Sequence, residues 1–187
     1  MTNNAPNIIA KTIIKFWFND IEQKSWFIKD SAFDQLLKEK FQAHISAALN
    51  HQYLDWENDP KSRLALILLL DQMTRNVFRD TPQAFAGDER ALSLSLKAIQ
   101  DNQLDQEADQ DKRAFLLMPL MHSEDIRIQN KSIPLFEKYA NEMTLKFAHQ
   151  HRDIILRFGR YPHRNHILGR PSTTAEIEFL KNPNSGF

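Results

Sequence analysis

Apolar residues recur at helical spacing along most of the chain. After Ser31 they fall at every third or fourth position as far as Leu49, which is the pattern of one buried helical face. We expect Ser31 to cap this helix, with Asp34 in its first turn. A second helix is predicted to begin near Pro60 and to end at about Asn76. Its middle is a run of seven apolar residues, so we expect it to be buried almost all round, although a buried strand is the alternative for so short a run.

Cap and stop signals divide the rest of the chain into further helices. The predicted boundaries are a cap at Asp88, an exposed acidic connector over 101–111, a helix over 112–121, a cap at Ser123, a helix from Thr144 that ends at Gly159, and a capping box of Thr173 with Glu176. The chain has only four glycines and no Asn-Gly or Asp-Gly pair, which argues against many short strands. We therefore predict an all-α fold of antiparallel helix pairs.

Composition narrows the class of protein further. The chain has 187 residues, which favours a single domain over 1–187, and its 24 basic and 24 acidic side chains cancel. This balance argues against a protein that binds nucleic acid. The chain has no cysteine, so disulfides and thiolate metal sites are excluded. No apolar run reaches the ~20 residues needed to span a membrane and no signal segment is visible, so we expect no membrane association and a cytoplasmic location.

The first stretch that carries chemistry lies near the end of the second predicted helix. Asp71, Arg75 and Arg79 follow each other at four-residue steps, so they share one face, with Gln72 and Asn76 beside them. A surface ion pair is the simple interpretation. Because the residues just upstream are apolar all round, an arginine held by a carboxylate and directed into a cleft is the alternative.

The second stretch is a junction between two predicted helices. Ser123, Glu124 and Asp125 are typical of a helix start, where a cap and acidic residues are favoured. His122 is not explained by that role. Beside a helix N-terminus its pKa would be lowered, which would keep the ring neutral as an acceptor or base. With Glu124 or Asp125 it could also offer ligands to a divalent metal.

The third stretch, from His149 to Arg170, holds five of the eleven arginines and none of the lysines. Guanidinium groups are preferred where a planar fork meets a carboxylate or phosphate. The simple interpretation is salt bridging to acids of the first two stretches. The alternative is that cations exceed the available acids and the remainder binds an anion. The candidate residues here are Arg160, His163, Arg164, Asn165 and Arg170.

These three stretches together resemble a bacterial family known as domain of unknown function 924. The segments that carry the resemblance are Leu70–Gln72 with Arg75, Asn76 and Arg79, then Pro119–Asp125, then Phe158–Asn165, and Leu168–Arg170, within a match from about Ile8 to Leu180. Met73 and Thr74 depart from the family, in which a bulkier apolar residue and a proline are expected. The resemblance implies a tetratricopeptide-like array of helix pairs, an α-α superhelix. It carries no activity and no catalytic residue over to this chain.

We hypothesise that the three stretches meet in one site that binds a small phosphate- or carboxylate-bearing ligand. Arg75, Arg79, Arg160 and Arg164 would hold the anion, Asp71 and Asn165 would orient them, and His122 would serve as acid or base if a reaction occurs. Whether the protein is an enzyme stays open, and we expect no cofactor and no resident metal. The alternatives are a helical-repeat module for a protein partner or a second copy, a metal-assisted hydrolase using His122, Glu124 or Asp125, and His163, and arginines that only lock the C-terminal segment in place.

Overall fold

The described part of the chain, residues 8–182 and 185–186 of a computed structural model, is helical without strands. This confirms the predicted all-α class. The α-helices are α1 (Ile8–Lys15), α2 (Ser31–Leu49), α3 (Pro60–Ile67), α4 (Thr74–Val77), α5 (Asp88–Gln100), α6 (Gln103–Gln106), α7 (Gln110–Met121), α8 (Ile126–Tyr139), α9 (Glu142–Phe158) and α10 (Thr174–Leu180). Short 3₁₀ turns lie at Gln23–Trp26, Leu54–Glu57, Pro82–Phe85 and Pro162–Arg164.

The second predicted helix runs without a break from Pro60 to Val77, but its middle is a wider, π-helical turn. We call this helix the rod. Helix α3 passes into a π-helical segment, Leu68–Met73, and this segment continues directly into α4. The hydroxyl of Thr74 donates to the carbonyl of Leu70 at 2.8 Å, which satisfies an acceptor inside the wide turn. Such π-helical turns inside α-helices are frequent at functional sites. The turn carries Asp71, the first residue of the first polar stretch.

The core surrounds this rod. Every side chain from Ser62 to Thr74 is buried, so the predicted all-round burial is confirmed. Helix α2 packs its stripe of Phe33, Leu37, Phe41 and Ile45 against it, and α1, α5 and α7 cover its other sides. Consecutive helices also pack on each other, α7 on α8 and α8 on α9. The tetratricopeptide-like arrangement of these helices stays a prediction.

Aromatic residues of the N-terminal arm anchor it to the core, with one exception. Trp17 is fully buried and its ring meets Phe115 of α7 edge to face, with centroids 5.8 Å apart. Phe16 and Trp56 are buried as well. Phe27 is the exception, because 65% of it is exposed.

Several predicted helix starts differ from the structure by one to three residues. Asp30, not Ser31, caps α2, and its carboxylate accepts from the backbone of Ala32 and Phe33. Asp125, not Ser123, caps α8. Asn141 caps α9 and accepts from the N–H of Thr144, the residue predicted to open that helix. In each case the predicted and the observed cap are both residue types favoured at helix N-caps and lie within three positions of each other. Capping propensity alone therefore does not choose between them.

Three other boundaries bear on the fold. The capping box of Thr173 with Glu176 is confirmed, and Gly159 ends α9 at a φ of 70°, as predicted. The acidic connector after α5 was expected to be exposed throughout. Instead it contains α6, in which Gln103 and Leu104 are buried.

No helix among the described residues is long and apolar enough to cross a membrane.

Gly87 sets the position of the loop before α5. A Cβ atom built at this residue would lie 2.3 Å from the carbonyl oxygen of Leu70, so only glycine allows the loop to approach the rod this closely. The residue has an ordinary φ of −91°, so the requirement is steric and does not come from its backbone conformation. Close approach at Gly87 brings the next residue, Asp88, beside the π-helical turn.

We predict that Gly87→Ala destabilises the protein by about 1–3 kcal/mol, the usual cost of forcing an extra group into a packed interior. Urea unfolding followed by circular dichroism measures this change. Gly159→Ala is the control, because it separates backbone strain from steric overlap. A Cβ atom at residue 159 would meet nothing within 4 Å, whereas the φ angle of this residue is positive. A Gly87→Ala variant as stable as the wild type would contradict the steric role.

Candidate functional site

The centre of the site is a contact between a buried carboxylate and a histidine. Asp71, whose side chain is 0% exposed, lies in the π-helical turn, and its Oδ1 is 2.8 Å from Nδ1 of His122 at the end of α7. Gln72 donates from Nε2 to the other oxygen of Asp71 at 2.5 Å and also contacts the sulfur of Met118. The side chain of His122 is 16% exposed. The first and second polar stretches therefore meet, as predicted.

The charge states of this pair follow from their surroundings. Burial opposes ionisation of Asp71, but His122, Arg75 and Gln72 outweigh it and hold the pKa of the carboxyl well below its usual range. An ionised carboxylate only accepts, so Nδ1 of His122 must carry the proton of their hydrogen bond. Burial lowers the pKa of His122 despite the attraction of Asp71, which keeps the ring neutral. Its Nε2 then carries a lone pair, and it makes no hydrogen bond to any described residue.

Arg75 and Asp88 form the next layer of the site. Arg75 donates from Nη1 to the backbone carbonyl of Asp71 and lies 3.4 Å from the Asp71 carboxylate. Its Nη2 donates to Oδ2 of Asp88 at 3.1 Å, and it lies 3.0 Å from Oδ1 without hydrogen-bond geometry. Asp88 was predicted to cap α5, but its side chain makes no cap hydrogen bond. That prediction is wrong because the carboxylate is directed towards arginine.

Arg164, which belongs to the third stretch, contacts both Asp88 and His122. Its Nη1 donates to Oδ2 of Asp88 at 3.2 Å and its Nη2 to the backbone carbonyl of His122 at 3.0 Å. The guanidinium lies over the rings of Phe85 and Tyr161, each 4.7 Å from its centre. The side chain is only 8% exposed, and its Nε is buried without a hydrogen-bond partner among the described residues. Burial and the nearby Arg75 lower the pKa of Arg164.

Two further histidines line the neighbourhood of His122. The ring of His151 lies 6.1 Å from that of His122 and 5.6 Å from that of Tyr161, and His163 lies 5.6 Å from Tyr161 on the other side. Burial lowers the pKa of His151 well below its usual value, and it lowers that of His163 to about 4 with help from Arg164. These rings are therefore neutral at pH 7.

Glu124, Arg170 and Asn165 fasten the third stretch onto the helix junction. Arg170 donates to both oxygens of Glu124, at 2.7 and 3.0 Å, and its Nε donates to the side-chain oxygen of Asn165. Glu124 also accepts the N–H of Tyr161 at 2.8 Å. The Tyr161 hydroxyl in turn donates to the carbonyl of Met121. These contacts match the predicted locking of the C-terminal segment, and they hold Arg164 in position.

Three predicted site residues are engaged elsewhere. Arg79 donates to both carboxylate oxygens of Asp34 on α2, at 2.6 and 2.8 Å, and Asn76 donates to the same carboxylate. Arg160 donates to both oxygens of Glu176 on α10. The surplus of cations suggested by the sequence is therefore absent at Arg79, Arg160 and Arg170, because each has its own carboxylate partner.

The ligand set suggested for a metal is not gathered in the structure. Among the described residues no group of three His, Asp or Glu side chains is placed to hold a metal ion. Glu124 is held by Arg170, and Asp125 accepts from Arg127 at 2.6 Å. The carboxylates proposed to join His122 and His163 are thus directed towards arginines.

The structure also contains two cavities outside these clusters. One, of about 250 Å³, lies between the turn at Gln23–Trp26 and helices α7 and α9, and it is lined by aromatic rings together with Asp111 and Met118. The other is a depression of about 620 Å³ at the start of α9. None of the predicted site residues lines either one. Met118 connects the first cavity to Gln72, and so to the Asp71–His122 pair.

Sequence reasoning missed Asp88, Phe85, Tyr161 and His151 as members of the site. Asp88 was explained by helix capping, which is the common role of an aspartate at a helix start. Tyr161 lies inside a quoted motif, but spacing does not reveal that its ring stacks on a guanidinium. A signal for Asp88 was available in Gly87, since a glycine directly before a helix marks a possible close approach of backbones.

The buried histidines predict acid sensitivity. The pKa of His163 is about 4 because of burial and the neighbouring Arg164 and Arg75, with Glu124 opposing them. In the unfolded chain an imidazole titrates near 6.5, so below about pH 6.5 the unfolded state binds the proton first. The free energy of unfolding should therefore fall between about pH 6.5 and 4, by up to about 1.4 kcal/mol per pH unit for this group.

Urea unfolding at several pH values checks this, and His163→Asn should flatten the slope. His166→Asn controls for removing an exposed imidazole from the same segment. An unchanged slope in His163→Asn would contradict the assignment.

The comparisons with known proteins agree with the fold. The family model described as bacterial protein of unknown function, DUF924, matches residues 13–184. Among solved structures, a protein of unknown function from Agrobacterium tumefaciens is similar, with 37% identity and a TM-score of 0.86 over 92% of this chain and 97% of that one. No curated protein matches the chain. The chain therefore belongs to the DUF924 family of bacterial proteins, as its three polar stretches suggested.

Proposed function

We propose that the protein binds a small phosphate- or carboxylate-bearing ligand where Asp71, Arg75, His122 and Arg164 meet. The observation that carries the proposal is the ring of His122, whose Nδ1 is held by a fully buried carboxylate while its Nε2 makes no hydrogen bond to a described residue. The guanidinium groups of Arg75 and Arg164 belong to the same cluster, because each donates a hydrogen bond to Asp88. Residues from three distant segments thus supply both anion-binding and proton-handling groups.

The arginines of the proposed site differ in how well they are satisfied. Arg79, Arg160 and Arg170 each have a bidentate carboxylate, so they are left out of the proposed anion contacts. Arg75 and Arg164 instead share the carboxylate of Asp88, Arg75 also lies 3.4 Å from that of Asp71, and Nε of Arg164 makes no hydrogen bond to a described residue. A charge-assisted hydrogen bond to such a buried donor contributes about 1.5–3 kcal/mol.

His122 is the proton-handling group of the proposal. A carboxylate that fixes Nδ1–H orients the imidazole and leaves Nε2 as a base, the arrangement used in Ser-His-Asp enzymes. In the proposed site His122 transfers a proton to or from the bound ligand. A neutral imidazole is not repelled by the positive charges of Arg75 and Arg164, whereas a protonated imidazole would be repelled by both.

We predict that phosphate stabilises the protein relative to chloride at equal ionic strength. A ligand that binds only the folded state at a hundredfold its dissociation constant adds about 2.7 kcal/mol. Thermal unfolding over a phosphate series measures this gain, which should disappear in Arg164→Gln and, should that variant fold poorly, in Arg75→Gln.

Arg127→Gln is the matched control, because Arg127 is 83% exposed and pairs with Asp125 outside the site. Equal stability in phosphate, carboxylates and chloride would refute the proposed function. A gain that Arg127→Gln removes and Arg164→Gln retains would place the anion elsewhere.

We further predict that His122 at pH 7 is neutral with its proton on Nδ1. Nitrogen-15 chemical shifts of the imidazole distinguish this state directly, and the signals that vanish in His122→Asn identify the residue. The expected result is a protonated Nδ1 and an unprotonated Nε2. A ring protonated on both nitrogens at pH 7 would remove the proposed base.

A further inference from the structure

Asp88 occupies the position between the two arginines where an anionic ligand would bind. Its Oδ2 accepts from Arg75 at 3.1 Å and from Arg164 at 3.2 Å, so one carboxylate oxygen bridges both guanidinium groups. Because the close approach of Gly87 to the backbone of Leu70 fixes the loop, a ligand can displace Asp88 only by rotating its side chain. That side chain is 23% exposed, so solvent reaches it.

The four charged groups of the cluster cancel when Asp88 is in place. Arg75 and Arg164 supply two positive charges, Asp71 and Asp88 supply two negative charges, and the ring of His122 is neutral. Asp71 is fully buried and cannot leave without abandoning His122. Asp88 is therefore the exchangeable counter-ion, and rotating it away leaves one uncompensated positive charge between two donor groups.

A ligand must compete with a carboxylate that is already attached to the protein. An attached group acts at an effective concentration of about the millimolar range or above, so a free monocarboxylate of equal charge gains nothing by exchange. A phosphoryl dianion carries about −1.5 to −2 charge and three strong acceptor oxygens. Its separate oxygens can accept from Nη2 of Arg75 and Nη1 of Arg164 at the same time, whereas a single oxygen of Asp88 serves both donors.

On the basis of the proposed function, we infer that the site selects a phosphoryl dianion over a carboxylate, and that Asp88 is the internal competitor which imposes this selection. Binding rotates Asp88 out of the bridge, and the phosphoryl group takes its place between Arg75 and Arg164. The shared chemistry covers both free phosphate and the phosphomonoester of a small molecule.

The test compares the wild type with Asp88→Asn by isothermal titration calorimetry, using inorganic phosphate, methyl phosphate and acetate. Asparagine keeps the shape of the side chain and removes its charge. We expect phosphate or methyl phosphate to bind about tenfold tighter to Asp88→Asn than to the wild type, and acetate to bind only to the variant. The tighter of the two phosphoryl probes identifies the source of the ligand.

Glu89→Gln is the matched control. Glu89 follows Asp88 directly, is exposed and makes no ion pair among the described residues, so its removal changes the net charge equally without touching the bridge. Its affinities should equal those of the wild type. Asp88→Ser is the second variant, and it keeps a residue that is favourable at a helix start should Asp88→Asn fold poorly.

The outcomes separate the inference from the proposed function. Phosphate binding that depends on Arg164 but is no tighter in Asp88→Asn or Asp88→Ser would overturn the inference and leave the proposed function standing. Wild-type binding of acetate as tight as that of phosphate would overturn it as well. The absence of any anion binding in the wild type and in both Asp88 variants would overturn both.

Discussion

A fully buried carboxylate, that of Asp71, is the group around which the rest of the site is arranged. It contacts His122 from α7, Gln72 from its own turn and Arg75 one turn further along the rod. Burying such a charge is costly unless it is paired and hydrogen-bonded. Removing one partner of a buried ion pair usually costs about 3–5 kcal/mol, whereas well-packed apolar residues would often be as stable. The cluster is therefore not explained by stability alone, and Nε2 of His122, which makes no hydrogen bond to a described residue, supports the proposed function.

The backbone around Asp71 departs from regular α-helix and is closely packed against a neighbouring loop. A π-helical turn widens the rod at Leu68–Met73, and Gly87 presses the loop of Asp88 against the same turn. Regular α-helix would place the polar side chains of the first stretch on one face, where they would share one environment. In the structure Asp71 and Arg75 face His122 and Asp88, while Arg79 reaches Asp34 on α2. Helix α4 ends at Val77, before Arg79, so the residues predicted to share one face are divided between the candidate site and an ion pair with α2.

The sequence predicted the all-α class, the buried rod and the meeting of the three polar stretches, because each follows from periodicity and from the cost of burying charge. It did not predict which arginine meets which acid. Arg75, Arg79, Arg160, Arg164 and Arg170 look alike as residue types, and their partners lie up to 76 positions away along the chain. Helix starts were also misplaced where neighbouring residues cap equally well. The role of Asp88 was hidden because a sufficient local explanation, capping, was already at hand.

The proposed function places an anion between Arg75 and Arg164, in the cluster that contains His122. A crystal structure of the protein soaked in methyl phosphate tests it most directly. We expect a phosphoryl group between the two guanidinium groups, accepting from Nη2 of Arg75 and Nη1 of Arg164, with Asp88 rotated away. Crystals saturated with the compound that still show Asp88 bridging Arg75 and Arg164, with no density beside His122, would contradict it.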